Sequence, residues 1–188
     1  EESFCDDVPD GKKAEGDTRL IQPLTLRAER GDIIEIEFHN DLDCRVASMH
    51  QTSLPYEVKE SDGMEVGFNP DTTVEPGESI TYRWHAAELG QHFFLDGANQ
   101  AFDSAAEDPQ KANLLSRGLF GTVSVFPQGT DWTDPLTGEE VQGRVQADIH
   151  LPDDVPDDAV EQGFPSGTSY REFLVHYHTP EGIQTADG

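Results

Sequence analysis

From Leu24 onward, apolar and polar residues alternate with the two-residue period of half-buried β-strands. Ile34, Ile36 and Phe38 alternate with Glu35, Glu37 and His39, and Ile80, Tyr82 and Trp84 alternate with Thr81, Arg83 and His85. A strand turns successive side chains to opposite faces, so each run predicts one face in a core and one in water. Pro76-Gly77 supplies the turn ahead of the second run. Leu119, Gly121, Val123 and Val125 form one face of a further strand that ends at Pro127. Val145, Ala147, Ile149 and Leu151 do the same up to Pro152. Ser169–His178 predicts a last strand with Phe173, Val175 and Tyr177 facing one way. One short helix is expected near Asp108–Leu115, with Pro109 in its first turn.

Short strands punctuated by Gly, Pro and Asp predict an all-β sandwich. Residues 1–18 read as a loose acidic arm and residues 19–152 as the β domain. Residues 153–168, rich in Asp, Pro and Gly, read as a linker, and residues 169–188 as an additional C-terminal strand. That strand, taken without a domain of its own, leaves backbone groups that must find a partner or water. No internal repeat is present, and 188 residues suffice for a substantial core.

Charge narrows the range of partners. Thirty-eight acidic residues against 12 Lys and Arg give a formal charge of −26. A surface of that sign excludes nucleic acid as a partner, because a phosphate backbone requires cationic contacts. It also excludes an anionic membrane surface, which attracts Lys and Arg clusters. Self-repulsion of this size points to life in concentrated brine, where screening shortens its range. Ten Phe and clear strand periodicity set the chain apart from a disordered acidic polymer. With no membrane-spanning stretch and a first residue Glu1 in place of Met, the chain reads as extracellular or cell-surface and processed after export. Cys5 and Cys44 suit that compartment. A disulfide between them would tie the arm to the first strand pair and stabilise the fold by roughly 3–4 kcal/mol.

The centre of the chain carries a series of landmarks. Ser48-Met49-His50-Gln51-Thr52-Ser53-Leu54 leads to Ser61-Asp62-Gly63, then to Pro76-Gly77-Glu78-Ser79-Ile80-Thr81-Tyr82-Arg83-Trp84. Gly90-Gln91-His92-Phe93-Phe94-Leu95-Asp96 and Gly118-Leu119-Phe120-Gly121 complete it. This order resembles the first cupredoxin domain of multicopper oxidases, especially the bacterial and archaeal relatives of ceruloplasmin and hephaestin. The resemblance implies a cupredoxin-like Greek-key β-sandwich, copper as the cofactor, and further cupredoxin domains as partners. It also likens Tyr170-Arg171-Glu172-Phe173 to the opening strand of a second cupredoxin domain.

The same resemblance shows what is missing. Family members carry His-x-His pairs, which a strand points the same way so that two imidazoles converge on adjacent coppers. His50 matches the first ligand of one pair, Thr52 replaces the second, and Leu95 stands where many relatives have His. His92 is close in sequence, but alternation turns it away from Phe93 and Leu95. Cys44, followed by Met49 and His50, has the soft ligands of a blue-copper centre in the wrong order, so a structural cysteine is the better reading. His176 and His178 share one strand face at the spacing of a two-point metal site, with Leu174 as their neighbour. His39, His85 and His150 fall on polar faces and read as surface residues. The acidic loop Asp96–Asp108 leaves Ca²⁺ open as a second metal, although it lacks the oxygen spacing of a calcium motif. Hydrolase elbows, phosphate-binding loops and Cys-x-x-Cys pairs are absent.

Three functions follow. The chain is a multicopper-oxidase-like domain that is catalytically incomplete by itself, a non-enzymatic module that self-assembles through Tyr170, Phe173, Val175 and Tyr177, or a copper carrier. The last would use His50, Met49 and His92, but the chain has only Met49 and Met64 and lacks the Met-rich or His-rich tracts of such carriers.

Overall fold

The computed structural model describes residues 23–42, 45–98 and 118–177. Cys5, Cys44, His178 and the helix expected near Asp108–Leu115 lie outside them. Nine strands are assigned among these residues: β1 (Leu24–Glu29), β2 (Ile33–His39), β3 (His50–Gln51), β4 (Ser79–His85), β5 (Gly90–Leu95), β6 (Phe120–Phe126), β7 (Asp131–Thr133), β8 (Gln146–His150) and β9 (Ser169–Phe173). Two short helices join them, α1 (Val58–Ser61) and α2 (Asp157–Glu161).

The strands form three sheets. A four-stranded sheet has the order β1-β6-β5-β3, β2 pairs with β4, and the third sheet runs β7-β8-β9. The predicted alternation in β2 and β4 is realised in one antiparallel ribbon, with Ile36 opposite Tyr82 and Ile34 opposite Trp84. These apolar faces close on the inner face of the four-stranded sheet. Tyr82, Trp84, Phe94, Val123 and Val125, each at most 4% exposed, form the centre of that core.

β6 is buried along its whole length. Val123 and Val125 face the first core, while Phe126 enters a second one with Val141, Ala147, Ile149, Leu151, Val155 and Ala159. The four-stranded sheet is therefore a middle layer, with the β2–β4 ribbon on one face and the terminal sheet on the other.

One expectation changes here and one open point is resolved. Residues 153–168 are a packed segment, not a linker: α2 lies within them, and Val155 and Ala159 are buried in the second core. Only Val155, Ala159 and Phe164 point into that core, so the surrounding Asp and Pro give the sequence a solvated appearance. The last strand is also not left without a partner. β9 pairs antiparallel with β8 over its full length, Tyr170 opposite Ile149 and Glu172 opposite Ala147.

A buried ion pair fixes β9 onto the middle layer. The Arg27 side chain is fully buried and donates from Nε (3.1 Å) and Nη2 (2.7 Å) to Glu172 Oε2, while Nη1 donates to the Arg144 carbonyl at 3.0 Å. Glu172 Oε1 accepts from Gln91 Nε2 at 3.2 Å and from Ser124 Oγ at 3.3 Å. One residue of β9 thus bonds to β1, β5 and β6. Gln142 closes the free edge of β1, accepting from Arg27 N–H at 3.0 Å and donating to the Arg27 carbonyl at 3.1 Å.

Candidate functional site

His50 opens β3, and the ladder with β5 sets its neighbours. It lies opposite Leu95, and Gln51 lies opposite Phe94. Thr52 continues the pairing, its N–H donating to the Phe93 carbonyl at 3.2 Å and its hydroxyl to the same oxygen at 2.8 Å. Directly opposed residues of an antiparallel pair share a face. His50, Thr52, Phe93 and Leu95 therefore occupy one face, with Phe120, opposite Leu95 on β6, continuing the row. Gln51 and Phe94 point the other way and are buried.

The His50 ring is held firmly. Its Nδ1 lies 2.7 Å from the Asp62 carbonyl oxygen, an acceptor only, so Nδ1 carries the proton and Nε2 is the ring's acceptor. Asp62 is fixed in turn, its Oδ1 accepting from the Tyr56 hydroxyl at 2.8 Å. Burial, aided by that carboxylate, pushes the Tyr56 hydroxyl up to about 12, so it stays a donor throughout the neutral range. The Tyr56 ring meets the imidazole edge-on, with centroids 6.2 Å apart.

Close backbone approach builds the slot. Ser48 Oγ donates to the Gly63 carbonyl at 2.6 Å and accepts from Gly97 N–H at 2.9 Å, while Ser48 N–H donates to buried Asp96 at 3.0 Å. Gly63 N–H donates to Thr72 Oγ1 at 2.8 Å, and the Tyr82 hydroxyl to the Thr72 carbonyl at 2.7 Å. Gly63 has φ +68°, and a Cβ there would lie 2.4 Å from the Met49 carbonyl oxygen. Gly63→Ala should therefore lower stability by roughly 2–4 kcal/mol in chemical denaturation, from left-handed strain and a clash with rigid backbone. Gly77→Ala is the control: φ is +80° but nothing lies within 4 Å, so only the strain of about 1 kcal/mol remains. Equal losses at the two positions would remove the close-approach account.

The other candidate ligands are committed elsewhere. Buried His92 has Nδ1 2.9 Å from Ser53 Oγ and Nε2 2.7 Å from the Glu88 carbonyl, which leaves neither nitrogen for a metal. His150 is spanned by Ser169 Oγ at 3.0 Å and Thr133 Oγ1 at 3.3 Å. His176 lies on the inward face of the terminal segment, its ring 5.4 Å from that of Phe120. Of the residues assigned to interaction, Tyr170 is misplaced. Alternation turns it inward, where it packs on the second core and burial pushes its hydroxyl up to about 12. Phe173, Val175 and Tyr177 face outward, at 62%, 67% and 93% exposure.

The comparisons with known proteins bear on this arrangement. Residues 18–128 match the family profile described as multicopper oxidase. The chain belongs to the multicopper oxidase family. It is 41% identical over 117 residues to human coagulation factor V, which covers 58% of this chain and 5% of that protein. It is 28% identical over 120 residues to a probable nitrite reductase-hydroxylamine oxidoreductase fusion protein of Kuenenia stuttgartiensis, covering 64% of this chain and 13% of that one. Among solved structures, a multi-copper oxidase from Pseudomonas thermotolerans aligns with a TM-score of 0.42 at 19% identity, over 69% of this chain and 36% of that one. The fold is a cupredoxin-like, all-β sandwich. The chain spans about a twentieth of the factor V relatives' length and about a third of the solved oxidases' length.

The family implies copper, but the residues at this site do not fit a multi-imidazole centre. Of the four side chains on the His50 face, one is an imidazole, and the others are a hydroxyl already bonded to backbone, a phenyl ring and a leucine. Among the described residues, no three or more His, Cys, Asp or Glu are grouped as a metal site. No helix among them is long and apolar enough to cross a membrane.

Proposed function

We propose that this chain is a secreted cupredoxin domain of multicopper-oxidase type that carries out no oxidase turnover by itself. The observation that supports this most is the pairing of His50 with Leu95, which puts an aliphatic side chain where a second imidazole is needed. Copper prefers several nitrogen or sulfur donors held together, and one imidazole gives weak, exchangeable binding. His50 is left as an oriented ligand position, its Nδ1 satisfied by a carbonyl in the manner of a metal-bound histidine.

Copper titration of the purified chain, followed by gel filtration and elemental analysis, tests this. The expected outcome is well below one copper per chain, no intense visible band, and no oxidation of phenolic or ferrous substrates. Stoichiometric copper with a strong visible band would overturn the reading. The acidic composition supports a salt-rich extracellular setting.

A second reading is a structural module that assembles through its terminal segment. The exposed row of Phe173, Val175 and Tyr177 favours it, since three large apolar side chains on one face of the terminal segment are costly to leave in water.

A further inference from the structure

The pairing of β9 with β8 leaves one question about the terminal segment: what its other edge does. Among the described residues no strand lies beyond β9 in the terminal sheet. Leu174 N–H donates to the Val145 carbonyl at 2.8 Å, so Leu174 directs its backbone groups toward β8. Consecutive residues of a strand direct theirs to opposite edges. The N–H and C=O of Phe173 therefore point away from β8, along the open edge, and the alternating exposure of residues 173–177 extends the same run past the end of β9 to Val175. The same alternation sets the side chains, with Leu174 and His176 turned in and Phe173, Val175 and Tyr177 turned out.

We propose that residues 173–177 pair antiparallel with the same residues of a second copy, about a two-fold axis at Val175. This rests on the assembly reading above and gives that assembly its residues and symmetry. Three observations select a second copy as the occupant. The outward row is chemically palindromic: reversing Phe173, Val175 and Tyr177 puts aromatic on aromatic and valine on valine, while Leu174 and His176 lie on the inward side. A two-fold interface requires such a self-complementary patch. The cross-strand pairs that result, Phe173 with Tyr177 and Val175 with Val175, are aromatic and β-branched pairs of the kind that stabilise antiparallel sheets. The seam is also free of like charge. On a chain of net charge −26 no acidic residue lies between positions 173 and 177, and the adjacent Glu172 is turned inward onto Arg27. Because one edge of β9 is already filled by β8, the contact closes on itself as a dimer and does not propagate as a filament.

Light scattering on the full chain in about 1 M NaCl, where the screening length is roughly 3 Å, tests the proposal. The expected mass is twice the 20.8 kDa protomer. Val175→Lys puts two lysines across the axis and should give the protomer mass, as should Val175→Glu with two carboxylates. An equimolar mixture of the two variants should restore the doubled mass, which a folding defect would not. Unchanged far-UV circular dichroism shows that each variant keeps the fold. A wild-type protein at protomer mass across the concentration range overturns both the dimer and the assembly reading. A doubled mass in every sample overturns this interface, because assembly then runs through a face other than the terminal segment. Single variants at protomer mass that fail to recombine overturn the register about Val175.

Discussion

Replacing Glu172 with Ala is expected to cost roughly 3–5 kcal/mol of stability, because it strands the Arg27 guanidinium in a site without solvent. For a chain of this size that is on the order of 10 °C in melting temperature. The loss is not the energy of one good contact. An ion pair taken out of water gains little net free energy over apolar residues of the same volume. What costs so much is one charge remaining after its partner is removed. Arg83→Ala provides the comparison. Its pair with Glu35 is as short, 2.8 Å, but both side chains are more than half exposed. Its loss should stay below about 1 kcal/mol. Removing both buried charges together, as Arg27→Leu with Glu172→Leu, should recover most of the stability lost by Glu172→Ala alone. Denaturation curves for the four proteins decide the matter. A Glu172→Ala variant no weaker than Arg83→Ala would mean that water reaches the pair and that it does not lock the terminal sheet.

This pair also shows where sequence reading stops. The β2–β4 ribbon was legible residue by residue, because alternation over residues 34–39 in one strand and 79–85 in the other leaves only one way to bury Ile36, Tyr82 and Trp84. Val123 and Val125 were legible on β6 for the same reason. Arg27 and Glu172 are 145 positions apart, and nothing in the periodicity of either strand links a buried arginine to a particular carboxylate. Tyr170 was grouped for interaction with Phe173, Val175 and Tyr177, although alternation puts it in the row of Glu172 and His176. Those residues look solvent-facing until Arg27 and Phe120 are seen beneath them. At the candidate site, the family pattern identified His50, Thr52 and Leu95, and the ladder gives the reason they matter together. The group that orients His50 is the Asp62 carbonyl, a backbone atom that no residue type announces. Ser48 and Thr72, which hold the slot's glycines, carry no motif at all.

Adding NaCl from about 0.1 to 1 M is expected to raise the melting temperature steadily and then level off. The argument rests on charge. Complete pairing of all 12 Lys and Arg would still leave 26 of the 38 carboxylates unmatched. Folding crowds those charges onto a compact surface, and their mutual repulsion grows with the square of the net charge. Salt acts on both sides of the balance. It weakens exposed pairs such as Arg83–Glu35 and Arg171–Asp148, but each of these contributes about 0–1 kcal/mol at most. The repulsion is spread over the whole molecule, so its relief outweighs the loss of a few surface pairs. Shortening the Debye length from roughly 10 Å to 3 Å removes most interactions between non-neighbouring carboxylates, which explains the levelling. NaCl and KCl should coincide at equal ionic strength if screening is the cause. Sodium sulfate should continue to raise the melting temperature beyond that point, because exclusion of sulfate from the surface strengthens apolar burial independently of charge. A melting temperature that stays flat or falls with added NaCl would show that the carboxylates are already far enough apart in dilute buffer, and adaptation to brine would lose its support.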